Sequence, residues 1–180
     1  MSNSSIAAYP VAGGQRCLEF IRSRYPQWEV VLNVEKFVPD VNAFVVEGLA
    51  ATLVWVRYPL MEDYEVYKGL GTLLKCPWLH LMFQEHVVWE YNLYDEQQKL
   101  IDRFEPLPQM WGHDQPQVGD AELLGRLWNI NPASVRNYLK PWNDRLRRRK
   151  AYLCRDQFRF GQFEQGHDFI KALTGIQLPE

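Results

Sequence analysis

Between residues 78 and 104 the chain alternates apolar and polar positions with a period of two, interrupted twice. In Trp78–Phe83 one side of an extended chain carries Trp78, His80 and Met82 and the other Leu79, Leu81 and Phe83. Both sides are largely apolar, which predicts a central strand covered on both faces. Gln84, Glu85 and His86 form a polar break. Val87–Tyr94 resumes with Val87, Trp89, Tyr91 and Leu93 in one apolar row, opposite a mixed row of Val88, Glu90, Asn92 and Tyr94. After a second break at Asp95–Gln98, a third strand is expected over Lys99–Phe104, ended by Pro106 and Pro108, which cannot donate to a sheet ladder. Short polar connections make the three strands antiparallel neighbours, a central meander over about 78–104.

Upstream the rhythm changes. Residues 1–14 begin Ser-Asn-Ser-Ser and end in Gly13-Gly14, the composition of a mobile tail with one short ordered piece around Ile6–Val11. Cys17, Leu18, Ile21 and Tyr25 fall at helical spacing, predicting a helix over Gln15–Tyr25 that Pro26 stops. Trp28–Val34 is rich in β-branched residues and reads as a strand. Ala43–Glu47 reads as a short strand and Leu49–Tyr58 as a longer one, with a helix as the rival for the Leu-Ala-Ala-Thr-Leu portion. Met61–Lys68, with Glu62 and Asp63 at its start, suits a short helix that Gly69 and Gly71 then break.

Downstream, Gln109–Gly119 reads as a polar loop, and helical spacing takes over. Asp120 is a good N-cap before Leu123, Leu124, Leu127 and Trp128. Asn131-Pro132 starts a second helix running to about Leu139. Trp142–Arg149 reads as an arginine-rich helix, Ala151–Phe163 as a loop or edge strand, and Gln165–Leu173 as a last helix with Gly175 as its C-terminal cap. Strands cluster and helices segregate, so the expected class is α+β: a mainly antiparallel sheet with helices packed on it and a mostly helical C-terminal portion over 119–180. The 180 residues fit one domain.

Composition narrows the function classes. A net charge of −2 argues against a nonspecific nucleic-acid binder. The three cysteines, Cys17, Cys76 and Cys154, give no CxxC pair and no zinc spacing, so reduced thiols and a cytoplasmic location are expected. The first residues lack a charged leader followed by an apolar run, and no apolar run reaches the roughly 18 residues a membrane span needs. Neither a signal peptide nor a spanning helix is therefore expected. No cofactor and no metal are expected either. Gly69-Leu70-Gly71 is not followed by the Gly-Lys-Ser/Thr of a phosphate loop, and no Gly-x-Ser-x-Gly elbow occurs.

Three constellations carry candidate chemistry. Leu124, Gly125, Trp128, Ile130, Val135 and Tyr138 approach helix-turn-helix spacing over 120–140, with Asn129 placed for a left-handed turn. Ser134, Arg136, Asn137 and Lys140 would then face outward towards base edges, with Arg145–Lys150 nearby for phosphates. A structural αα-corner with solvated arginines accounts for the same spacing and takes precedence. His80 with Glu85 or Glu90 offers a His–carboxylate pair for general acid–base work of a hydrolase type, with His86 and Asp102 on neighbouring strands. A core histidine beside Trp78 and Met82 is the simpler account. Finally, Tyr91, Tyr94 and Trp111 are candidate anchors for a protein partner, since Trp, Tyr and Arg concentrate in binding hot spots.

Trp78-Leu79-His80-Leu81, the Trp89-x-Tyr91-x-Leu93-Tyr94 run, Ile101–Phe104, the Pro106/Pro108 pair, Gly119–Ile130 and Val135–Trp142 together resemble a family of small bacterial proteins without an established activity. The resemblance covers about a third of the chain and implies no function. The leading expectation is a non-enzymatic interaction module (an adaptor, inhibitor or immunity-type protein) with a protein partner. A DNA-binding protein and a His–carboxylate hydrolase are the alternatives.

Overall fold

The structure is a computed structural model that describes residues 4–36, 38–57, 63–84, 88–108, 114–141 and 162–178. Among them eight strands form one sheet, β1 (Ser4–Tyr9), β2 (Val30–Leu32), β3 (Ala43–Glu47), β4 (Thr52–Arg57), β5 (Trp78–Gln84), β6 (Val88–Tyr94), β7 (Leu100–Glu105) and β8 (Gln117–Val118). Their order is β2-β3-β4-β1-β5-β6-β7-β8. Every neighbouring pair is antiparallel except β2–β3, which is parallel. The described residues also form helices α1 (Gly14–Arg24), α2 (Asp63–Leu74), α3 (Ala121–Trp128), α4 (Ala133–Arg136) and α5 (Phe163–Thr174). The fold is α+β, with the expected meander as β5–β6–β7.

The helices cover both faces of the sheet, and the alternation along β5 decides which residues meet which helices. Leu79, Leu81 and Phe83 join Trp89, Tyr91 and Leu93 of β6 in one core cluster, beneath Leu124 and Trp128 of α3, Val135 of α4 and Phe169, Ile170 and Leu173 of α5. The Phe169 ring stacks on Trp89 and Tyr91 at centroid distances of 5.1 and 5.7 Å. Trp78 faces the other way, into a second cluster with Tyr9 of β1, Cys17 and Ile21 of α1, and Tyr67 and Leu70 of α2.

The largest correction concerns residues 4–14. They are no mobile tail: β1 lies in the middle of the sheet, pairing with β4 from Ser4↔Arg57 to Tyr9↔Thr52 and with β5 from Ser4↔Phe83 to Ala8↔Leu79. Ile6 and Ala8 enter one core, Ala7 and Tyr9 the other. Burial on both faces removes the polar alternation that would have advertised a strand.

Gly69 and Gly71 also behave differently from expectation. They lie inside α2, which continues to Leu74. A Cβ at Gly69 would stand 2.6 Å from Phe20 Cζ, and one at Gly71 2.6 Å from Trp78 Cδ1. Both glycines therefore let α2 approach α1 and β5, a packing role that outweighs their poor helix propensity. The strand expected over Trp28–Val34 shortens to three residues, and that over Leu49–Tyr58 begins only at Thr52, with Tyr58 outside the described residues. The helix expected to reach Leu139 is the single turn α4. The C-terminal portion is therefore less helical than expected where it is described; the helix expected over 142–149 lies outside the described residues, as does the loop or edge strand expected over 151–163 as far as residue 161.

Candidate functional site

His80 is buried among aromatic rings. Ring centroids of Tyr67, Tyr64 and Trp78 lie 5.2, 6.2 and 6.2 Å from its imidazole, and Tyr94 stacks on Trp78 at 4.6 Å. Its Nε2 is buried and has no hydrogen-bond partner among the described residues. Burial pulls the pKa down from 6.5 to about 4, against a smaller upward pull from Asp63. A second buried histidine, His167 on α5, sits against Trp55 and Phe83 on the opposite face, and burial lowers its pKa to about 4 as well.

Of the carboxylates expected near His80, Glu85 lies outside the described residues. Glu90 shares the face of His80 but stands across from Met82, whereas Asn92 stands across from His80. Glu90 lines a cavity of about 390 Å³ together with Met82, Asn92, Arg103 and Glu105; His80 is not among its described lining residues. Arg103 Nε donates to Asn92 Oδ1 at 2.8 Å, and its guanidinium lies 3.7 Å from Glu105. Asp102 is on the other face, where it accepts from the Tyr91 hydroxyl. The geometry therefore does not bring His80 into the cavity that Glu90 lines. Among the described residues no group of three or more His, Cys, Asp or Glu could hold a metal ion, and no helix is long and apolar enough to cross a membrane.

The proposed aromatic anchors are also redistributed. Tyr91 is fully buried, so it offers no exposed ring. Its place in the apolar row of β6 directs it under α5, and its hydroxyl is satisfied by Asp102 Oδ2 at 2.7 Å. The same oxygen accepts the Asp120 backbone N–H at 2.9 Å, tying β6 and β7 to the start of α3. Burial, reinforced by Asp102, raises the Tyr91 pKa well above the usual tyrosine value. Tyr94 is half-buried against Trp78, and burial pushes its pKa to about 12. Trp111 lies outside the described residues.

The α3–α4 corner has the local features its sequence implied. Asp120 Oδ1 accepts from the backbone N–H groups of Glu122 and Leu123 at 2.9 and 3.0 Å. Asn129 adopts the left-handed conformation, with φ 53° and ψ 46°. Gly125 marks the close crossing: a Cβ there would stand 2.7 Å from Pro132 Cγ. Ser134, Arg136, Asn137 and Lys140 are exposed. However, α4 is one turn long, and Arg136 is ion-paired with Glu122 of α3. Residues 145–150 lie outside the described residues.

A surface the sequence reading passed over lies at the β8 edge of the sheet. β8 pairs only with Phe104 and Glu105, leaving Leu100–Arg103 of β7 with no described strand on their outer side. β8 leaves the sheet because Gly119 turns at φ +74°, where a Cβ would stand 2.5 Å from the Tyr91 hydroxyl oxygen. The β6–β7 register shifts between Leu93↔Asp102 and Tyr94↔Leu100, so Ile101 is the extra residue of a bulge. Leu100, Ile101 and Val118 are consequently 40, 38 and 52% exposed, three of the four large hydrophobic side chains exposed among the described residues. They border an open groove of about 550 Å³ that continues, through Val118, Gly119 and Asp120, into one of about 340 Å³ beside Arg136 and Lys140. The available signal was the pairing of Leu100 and Ile101 with Asp102 and Arg103, which leaves neither side of that strand wholly apolar. The chain matches no protein-family model, no curated protein and no solved structure.

Proposed function

We propose that this chain is a non-enzymatic interaction module that receives a protein partner along the β7–β8 edge. The observation that carries the reading is the exposure of Leu100, Ile101 and Val118 beside the stretch of β7 that no described strand pairs. Large apolar side chains gathered at a groove favour association, because a partner removes their surface from water. The bulge at Ile101 interrupts the ladder, so the fitting partner docks chiefly on side chains and the groove rather than by extending the sheet over many residues. The mixed charges along the groove, Asp120 and Glu122 with Arg136 and Lys140, suit a polar rim around that apolar centre. Adaptor, inhibitor and immunity-type proteins all work through surfaces of this kind. The buried free thiols Cys17 and Cys76 are in keeping with a cytoplasmic setting.

Affinity capture of the tagged chain from its native host, after nuclease treatment, tests the reading. The wild type is expected to retain a stoichiometric protein, and the double variant Ile101→Lys/Val118→Lys to lose it. Equal retention by both forms would overturn the placement of the site. Recovery of nucleic acid alone, abolished by nuclease, would replace the reading with DNA binding through Ser134, Arg136, Asn137 and Lys140.

A further inference from the structure

The polar cluster beneath α2 has the construction of a switch. His80 lies on β5 under the first turn of that helix, with rings of Tyr64, Tyr67 and Trp78 around it and no partner for Nε2 among the described residues. Among the described residues, the elements packed around it contribute few groups able to answer a charge. β1 places Ala7 opposite His80 and Ser5 opposite Met82. β6 places the uncharged Asn92 opposite His80, with Arg103 of β7 bonded to that amide and Glu90 two pairs further along. α2 contributes Asp63, Tyr64 and Tyr67, and Asp63 is the group whose charge favours an imidazolium at position 80. Both oxygens of that carboxylate are already engaged: Oδ2 accepts from Ser5 Oγ at 2.6 Å and Oδ1 from the Tyr64 backbone N–H at 2.7 Å. The Tyr67 hydroxyl completes the cluster, donating to the Ser5 carbonyl at 2.9 Å and accepting from the Val56 N–H at 3.2 Å.

We propose that α2 is an acid-sensitive latch, in which a proton taken from solvent by His80 draws Asp63 away from Ser5 and releases the first turn of the helix from the sheet. An imidazolium donates from both ring nitrogens, and the Tyr67 hydroxyl beside it is already engaged with Ser5 and Val56. A buried charge without a partner is costly, so the cluster either re-pairs Asp63 or admits water. Both outcomes loosen the Ser5–Asp63 tie that joins α2 to β1. The opened form takes up its proton near the ordinary histidine value of 6.5, and the closed form only near 4. The closed latch is therefore fully held above 6.5 and lost as pH falls towards 4.

Hydrogen exchange across pH 7 to 5 reads this directly. Protection factors for α2 amides are expected to fall by about tenfold per pH unit below 6.5, while those of β1 and β5 hold. His80→Phe, which keeps a ring at that position, is expected to flatten that dependence, and His167→Phe to leave it intact. Loss of protection in α2 and the sheet together, or an unchanged slope in His80→Phe, would overturn the proposal. Should His80→Phe not fold, NMR titration of the wild-type imidazole decides: a normal histidine titration with α2 still protected overturns the latch, whereas a depressed titration accompanied by α2 exchange supports it.

Discussion

The strands at the centre of the sheet and those at its β8 edge are built from similar residues and end in opposite environments. Ile6, Leu53, Leu79 and Leu81 on β1, β4 and β5 are fully buried. Leu100 and Ile101 on β7 and Val118 on β8 are exposed. Side-chain chemistry does not separate the two groups; position in the sheet does. A central strand has a neighbour on each side and a helix layer above and below, whereas β7 has one full neighbour and a two-residue remnant of another. The centre can therefore hold the fold together while the edge is left available for recognition. The comparison predicts that substitutions at the two places separate stability from binding.

The largest effect is expected at Leu81. It is fully buried between Ile6 and Tyr91 in the ladder and belongs to the core shared with α3 and α5. Leu81→Ala should cost about 2–5 kcal/mol, from lost burial plus the cavity left behind. Urea unfolding checks this: the midpoint should fall with the slope unchanged. A cost below about 1 kcal/mol would mean that this part of the sheet is loosely packed.

The same contrast explains what could be read in the sequence. The meander was legible because β5 and β6 keep a strict two-residue rhythm, and α3 and α5 because Asp120 and Gly175 mark their ends. β1 was not legible. Ser4–Tyr9 owes its place to pairing with strands about 50 and 75 positions away in the chain, and no local pattern encodes that distance. Tyr91 was misread as an anchor although its alternation row already pointed inward; the missing fact was that Asp102 would satisfy its hydroxyl. The edge at Leu100, Ile101 and Val118 was hidden for the converse reason. An apolar residue in a strand pattern is expected to be buried, and only the sheet order, the bulge and the early departure of β8 at Gly119 show that these are not.

A smaller loss is expected at Gly71, where the central region is tight rather than merely apolar. In an exposed helix Gly→Ala is stabilising by up to about 1 kcal/mol. Here the added methyl would meet the Trp78 ring, itself packed against Tyr64, Tyr67 and Tyr94. Gly71→Ala should therefore destabilise by about 1–3 kcal/mol. Thermal unfolding gives the sign: a raised melting temperature would show that α2 can move away from β5 without loss, and would weaken the case for close α2–sheet packing beneath the latch.

The smallest effect on stability, and the sharpest test of the comparison, belongs to the edge. Ile101→Lys and Val118→Lys replace side chains that are already in contact with water and lie on the open side of a bulged strand. Each should change the unfolding free energy by no more than about 0.5 kcal/mol, the usual range for surface positions. Lysine at such an edge also disfavours pairing with another strand, so the pair of substitutions removes apolar surface and adds a barrier to docking at once. Unfolding measurements on the purified double variant should thus overlay those of the wild type even as partner capture is lost. A double variant destabilised by several kcal/mol would show that Leu100, Ile101 and Val118 belong to the core after all, and the distinction between a load-carrying centre and a recognition edge would fall with it.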